Sequence, residues 1–466
     1  MSAWVVLLAV TGGIGADLAT RTRISSLVSF AAVAATVATL EAAQVLSNRA
    51  SRTLAALALA ISAMLPMRAS SWLAHLNSWT IVALLAGACM AHVGLPEYRT
   101  SSLRDAAARA LGARFGCVLL VRSARPRSEG IRAWLAPLLR GVLLALMPVG
   151  VITALLAQAD VVFAEAVTPG LAVDRLVGHA MVAVAAATLI MGLVTAARTP
   201  PASEPSEDWR PLGGVEALTV MVGLFVVYLL FAGAQLYSAL GGADEILARQ
   251  GITPADYARS GFFQLLWVAG LTAVLLGAMR LFLAERSAGV ERALRVCGTT
   301  VALLTLVIIA VAIVRLDLYT DRFGLTTLRW YSAGFAWLLA PVFALIAIAS
   351  ARGSIEGLGT SIAAVVIGAV VLVNALNPEA RVADHNLTNA DTIELDAEYL
   401  LRLSADAWPT ILNHQATVID SLDRERGYAT SAASRFGLAC ARADRSRGYG
   451  PAGYNVANYR LACASN

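Results

Sequence analysis

Repeated apolar runs constrain this chain more than any other feature of its sequence. Their lengths approach the roughly 20 residues that an α-helix needs to cross a bilayer. Of the 466 residues, 58% are hydrophobic and 14% are charged, whereas a soluble domain has about 25% charged residues. The alternating hydrophobicity that marks the strands of a membrane barrel is not visible. We therefore predict an all-α, polytopic helical membrane protein.

The apolar runs predict about eleven transmembrane helices. The first run lacks the basic residues that begin a signal peptide, so we expect it to remain in the protein. The third is short and contains Pro66, so it either merges with a neighbour or enters the membrane without crossing it. The spans lie near residues 3–19, 26–46, 54–67, 79–95, 134–157, 176–197, 214–237, 262–283, 297–315, 332–349 and 360–376.

The arginines predict the orientation of these spans. The chain contains no lysine, and the loop at 96–133 is the longest basic loop. Because basic loops stay on the cytoplasmic side, we place the N-terminus inside and the C-terminus outside. This topology accounts for the net charge of +5, so we expect no nucleic-acid binding. The lack of lysine and the many alanines indicate a high-GC bacterial genome, and hence a bacterial inner membrane.

Span counting divides the chain into a membrane domain, 1–376, and a small extracytoplasmic domain, 377–466. It also places the loop at 238–261 outside. In that loop Thr253 can cap a helix that has Pro254 at its first position. In the tail, Asp396 can cap a helix that Pro409 ends or kinks. We expect the tail to form a small helical hairpin that packs against the membrane domain.

Two of the cysteines, Cys440 and Cys463, lie in the polar tail. Because span counting places the tail in an oxidising compartment, we predict a disulfide between them. No Cys/His spacing typical of a zinc site occurs in the sequence, so we expect neither a metal nor a cofactor.

Short motifs between residues 135 and 460 carry a further signal. In the membrane domain they are Leu139-Arg140-Gly141, Ala159–Ala164, Val215–Val220, Gln235-Leu236, Gly241-Gly242, Ala255–Arg259, Gly261–Phe263, and Tyr319 with Gly324–Thr326 and Arg329. In the tail they are Leu376–Glu379, Asn386, Leu395–Leu400, Leu403–Ala407 and Tyr454–Val456. Together these motifs resemble the bacterial membrane proteins grouped as domain of unknown function 4153/4173. The resemblance implies a shared fold and topology and no established activity.

Ionisable groups inside the spans are the first candidate site, because each costs about 2.5–3.5 kcal/mol on insertion into a bilayer. Asp17, His179 and Arg280 lie near span ends, where they can reach the headgroups. The candidates that remain are Glu41, Arg140 and Glu216. Arg140 and Glu216 are either an ion pair that holds helices together or, with Gln235, a substrate or coupling site. Both also suit a shallow site at the inner face.

Aromatic and arginine side chains at the membrane surface are the second candidate site. They are either anchors at the headgroup level or a docking surface for the tail segment from Asp396 to Asp406, which includes Tyr399. The residues concerned are Tyr257, Arg259, Arg329 and Tyr331.

No recognisable catalytic motif occurs in the sequence, so we predict no catalytic residues. The leading interpretation is a non-enzymatic cell-envelope component that lies in the lipid bilayer and binds a protein partner or senses a signal through its tail. The alternative is a transporter or lipid-handling protein with a polar site near Arg140, Glu216 and Gln235. A membrane-embedded enzyme is the third.

Overall fold

The computed structural model describes residues 27–92, 131–167, 213–242, 261–282, 288–354, 356–393, 395–424, 431–444 and 456. Within these ranges the chain forms helices and no strand, which confirms the all-α class for the described part. The membrane-domain helices are α1 Leu27–Ala42, α2 Arg49–Ser62, α3 Ser71–His92, α4 Ile131–Ala159, α5 Val161–Val167, α6 Gly214–Tyr237, α7 Phe262–Phe282, α8 Ala288–Phe323, α9 Thr327–Arg352 and α10 Leu358–Leu376. The tail helices are α11 Pro378–Thr388, α12 Ala397–Leu401, α13 Trp408–Asn413, α14 Gln415–Arg424 and α15 Ala432–Asp444.

Eight of the described helices are long and apolar enough to cross a membrane. The chain is therefore an integral membrane protein, although the predicted count of eleven spans is not confirmed. The predicted span at 26–46 is the 16-residue helix α1, and those at 3–19 and 176–197 lie outside the described residues. Helix α8 extends the predicted span 297–315 at both ends to 36 residues, or roughly 54 Å.

The chain divides into two compact units, one of which comprises residues 98–319 and 335–365. In this unit α4 packs against α6 and α7. The contact between α4 and α6 is close at Gly141, where an added Cβ would lie 2.7 Å from the Thr219 hydroxyl and 3.0 Å from the Glu216 Cα. Deeper in the unit, the Tyr228 hydroxyl is hydrogen-bonded to Thr272 between α6 and α7. Small residues and interhelical hydrogen bonds are what holds membrane helices together.

The other unit comprises residues 1–97, 320–334 and 366–466, and thus combines N-terminal helices with the tail. Helices α2 and α3 form a hairpin, and the side-chain amides of Asn77 and Asn374 join α3 to α10. These amides donate to each other at 2.9 and 2.8 Å, and both residues are buried. The reciprocal bonds satisfy two polar groups that would be costly to leave unpaired in an apolar core.

The tail helices enclose an apolar core around the fully buried Trp408. Ala69, Leu325 and Trp330, which lie outside the tail, pack against the same core. The prediction that Pro409 ends or kinks the helix capped by Asp396 is wrong. That helix, α12, already ends at Leu401, and Pro409 lies in the first turn of α13, where its missing N–H has no helical partner to lose. The domain boundary at 376/377 stays a prediction.

Two further predictions fall largely outside the described residues. The cytoplasmic basic loop at 96–133 is described only from Ile131, which begins α4. Of the outer loop at 238–261, only its two ends are described. At the first end a π-helical turn continues α6 from Ser238 to Gly242, where the described residues of this loop stop.

Candidate functional site

A buried ion pair between helices is the first candidate site. Asp160 joins α4 to α5, and its Oδ1 accepts a 2.7 Å hydrogen bond from the Phe163 amide, which caps α5. Its Oδ2 accepts hydrogen bonds from the Arg315 guanidinium of α8 and from the Gln235 amide of α6, the latter at 2.7 Å. Asp160 is fully buried, and Arg315 is 5% exposed. We call these residues the buried charge cluster.

The hydrogen bonds of this cluster compensate the loss of hydration. Arg315 also donates to the carbonyl oxygen of Ala159 at 2.6 Å. A buried ion pair is tolerated only when further hydrogen bonds satisfy its remaining lone pairs and protons, and the loss of one partner leaves an unpaired charge. The cluster therefore links α4, α6 and α8 at a position where the chain interrupts its helical path.

Gly261 closes the same cluster from α7. Its φ is +85°, and an added Cβ would lie 2.2 Å from the carbonyl oxygen of Ala159, which accepts from Arg315. No side chain fits at this distance, and the left-handed conformation disfavours every residue other than glycine. Gly261 thus allows the start of α7 to approach the end of α4.

Of the predicted coupling residues, Gln235 belongs to the buried charge cluster, whereas Arg140 and Glu216 lie elsewhere. Arg140 is half-buried on α4, and Glu216 is in the first turn of α6. Within the described ranges no ion pair joins them. Sequence reasoning missed Asp160 and Arg315 as site residues, although Asp160 lies in the quoted motif Ala159–Ala164 and Arg315 is the last residue of a predicted span.

The second candidate site is the contact of the tail with α3 and α10, which we call the tail seam. Asp406 Oδ2 accepts hydrogen bonds from the amides of Ala69 and Ser70, at 2.7 and 2.8 Å. Because these amides precede α3, the carboxylate lies at the positive end of that helix. The Ser404 amide donates in turn to Glu379 Oε2 at 2.5 Å. The seam thus contains two buried carboxylates, those of Glu379 and Asp406.

Arg68 binds the C-terminal end of α10. Its guanidinium donates to the carbonyl oxygen of Asn374 at 3.0 and 2.7 Å and to that of Ala375 at 3.4 Å. These carbonyls end α10, so the cation lies at the negative end of the helix. Its Nη1 is 4.0 Å from Asp406 Oδ1. Arg68 therefore caps the C-terminal end of α10, and Asp406 caps the N-terminal end of α3.

Burial raises the pKa of the Asp406 carboxyl above its ordinary value of 3.8. The amides of Ser70 and Ala69 and the Arg68 guanidinium lower that pKa, and the charge of Glu379 raises it further. The net increase means that the charged carboxylate is incompletely compensated by the groups around it.

The turn between α8 and α9 is a further contact of the tail. Both polar groups of the Asn386 side chain pair with the backbone of Leu325, at 2.7 and 2.8 Å. The Tyr399 hydroxyl accepts a 2.7 Å hydrogen bond from the Thr327 amide, and Asp396 caps the Tyr399 amide at 2.8 Å. The predicted docking residue Arg329 donates to the carbonyl oxygens of Phe323 and Gly324 in the same turn, where Gly324 has a φ of +74°.

The remaining predicted site residues are Tyr257, Arg259, Cys440 and Cys463. Tyr257 and Arg259 lie outside the described residues, as does Cys463. Cys440 is buried in the tail core, and because Cys463 is not described, the bridge between them stays a prediction. Within the described ranges, no group of three or more His, Cys, Asp or Glu side chains could hold a metal ion.

The comparisons with known proteins find one family. A family model described as "Domain of unknown function (DUF4153)" matches residues 28–414. The match begins closer to the N-terminus than the sequence motifs, which start at about residue 135. It ends at His414, between α13 and α14. No curated protein and no solved structure matches the chain.

We expect the substitution Gly261→Ala to disrupt the buried charge cluster. The Cβ would meet the Ala159 backbone, and the positive φ alone costs a residue other than glycine about 1–2 kcal/mol. Thermal unfolding of the protein in nanodiscs should show a clear loss of stability. Gly270→Ala on the same helix is the matched control, because nothing lies within 4 Å of its added Cβ. Equal stability of the two variants would contradict the close approach of α7 to α4.

Proposed function

Since the chain belongs to the family of domain of unknown function 4153, which assigns no activity, we propose a function from the geometry. The protein is a cell-envelope component of the bacterial inner membrane that presents its tail on the outer face. There the tail binds a protein partner or senses a signal. The single observation that carries this proposal is the shared core of the tail, which includes Ala69, Leu325 and Trp330 from outside it.

The shared core supports presentation of the tail in one fixed position. The tail is joined to its unit by apolar contacts and also by the hydrogen bonds of Asp406, Asn386 and Tyr399. Ordering these polar groups costs conformational entropy. A flexible tether would not need such bonds, so their presence favours a tail that is held in place. A surface held in this way favours recognition, since it is organised before a partner binds.

Photo-crosslinking in cells tests this function. A photoreactive amino acid at Leu438, which is 53% exposed on α15, should form a discrete adduct with an envelope protein. The substitution Asn386→Ala, which removes both bonds to Leu325, should weaken that adduct. The matched control is the same amino acid at Trp79, a 73% exposed position on the candidate span α3, which should react with lipid. If Leu438 gives no protein adduct beyond that of Trp79, the proposal is wrong.

The buried charge cluster favours a second candidate function, a transporter or lipid-handling protein. Ionisable side chains inside a membrane domain commonly mark a pathway. Of the predicted site at Arg140, Glu216 and Gln235, only Gln235 contacts the cluster. The cluster is nevertheless densely hydrogen-bonded, which also suits a purely structural ion pair. We therefore rank this function second.

The cluster variants separate a structural role from a role in lipid movement. Arg315→Met alone should destabilise the protein by about 3–5 kcal/mol, because Asp160 is left as a buried unpaired charge. The double variant Asp160→Asn, Arg315→Met should recover most of that loss. A lipid-handling protein would speed the exposure of a fluorescent phospholipid to dithionite in liposomes, and the double variant would not. A wild-type rate equal to that of empty liposomes would exclude lipid movement.

A further inference from the structure

Three buried oxygen atoms at the tail seam make no hydrogen bond of good geometry within the described ranges. They are Ser70 Oγ, the Tyr331 hydroxyl and Asn377 Oδ1. Ser70 is 1% exposed, although serine before a helix usually caps it with its own side chain. Here the amides of Ala69 and Ser70 donate to the Asp406 carboxylate, so Asp406 caps the helix in place of the Ser70 hydroxyl.

These oxygens lie beside the two carboxylates of the seam. The Ser70 and Tyr331 hydroxyls are neighbours, and Tyr331 is within electrostatic range of Glu379 and Asp406. The amide nitrogen of Asn377 donates to the carbonyl oxygen of Asp406 at 3.2 Å, so its unpaired Oδ1 belongs to the same surroundings. The cluster is therefore rich in oxygen atoms.

The charges at the seam do not balance. Glu379 and Asp406 are 4% and 6% exposed. Among the described residues, the cation that reaches Asp406 is Arg68, whose other hydrogen bonds go to the end of α10. One guanidinium against two carboxylates leaves a single negative charge. A buried charge of this kind is normally neutralised by a partner, a proton or a metal ion.

We propose that the tail seam binds one monovalent cation, with Na⁺ as the best fit. Carboxylate, hydroxyl and amide oxygens are the ligands that hard cations prefer. A single positive charge neutralises the cluster, whereas a divalent ion would leave one buried positive charge in excess. The ion would contact Glu379, Asp406 and the unpaired oxygens of Ser70 and Tyr331, and would hold the tail against α3 and α9. This inference does not depend on the proposed function.

Thermal unfolding of the full chain in nanodiscs tests the proposal. At constant pH and ionic strength, replacing N-methylglucamine chloride with sodium chloride should raise the unfolding temperature by several degrees, to a saturating value. A ligand that binds only the folded state stabilises it in this concentration-dependent way. Purified protein should also retain radioactive Na⁺ in equilibrium binding.

Two variants locate the ion. Glu379→Gln and Ser70→Ala should each abolish the sodium-dependent rise and the retained Na⁺. Ser70→Ala keeps the amide that binds Asp406, so it tests the site if Glu379→Gln fails to fold. Glu41→Gln is the matched control, because Glu41 is an exposed carboxylate paired with Arg52, and it should leave the sodium effect intact.

Three outcomes would overturn the proposal. The first is an equal unfolding temperature in sodium and glucamine. The second is a stability that responds to pH but not to sodium, which would mean that the carboxylates share a proton. The third is a sodium effect that persists in both Glu379→Gln and Ser70→Ala.

Discussion

The ends of buried helices leave backbone groups that need partners, and this requirement governs how the tail is attached. The amides that precede α3 donate to Asp406, which lies 336 residues from Ser70 along the chain. The carbonyls that end α10 accept from Arg68, which lies 306 residues before Asn374. Because both caps come from distant segments, the N-terminal helices and the tail complete each other's structure. Their combination into one compact unit follows from this exchange.

The two polar clusters differ in how far they are satisfied, and this difference separates their roles. The oxygens of Asp160 accept from three donors, and Arg315 has additional contacts with the Ala159 carbonyl. Such saturation is typical of an ion pair that fixes helices. The tail seam, in contrast, has two buried carboxylates near one guanidinium, and buried oxygens at Ser70 and Tyr331 that make no hydrogen bond of good geometry. A site that lacks a partner is the better place for a ligand or a regulated contact.

The helical class and most of the spans could be predicted from the sequence, because hydrophobic length alone decides whether a helix can cross a bilayer. The extent of α8 could not, since its ends at Ala288 and Phe323 continue past the apolar run into polar residues. The end of α12 at Leu401 was also missed, because a proline such as Pro409 breaks a helix in its interior but suits its first turn.

The candidate sites were harder to predict, because their partners are far apart in the sequence. Gln235 was singled out as a polar residue within a span, but its contact with Asp160 depends on the packing of α6 and α4. Arg315 was overlooked because an arginine at the end of a span usually reaches the headgroups, whereas here it folds inward to Asp160. The cap that Asp406 provides leaves no local signal in the sequence around Ser70.

The central claim is that the tail is fixed to the membrane helices through Asp406. Hydrogen exchange at the amides of Ala69 and Ser70, in nanodiscs, tests it most directly, because both amides donate to that carboxylate. The account predicts slow exchange in the intact chain and exchange at least tenfold faster in Asp406→Ala. Equal exchange in the two proteins, or rapid exchange at these amides in the intact chain, would contradict it.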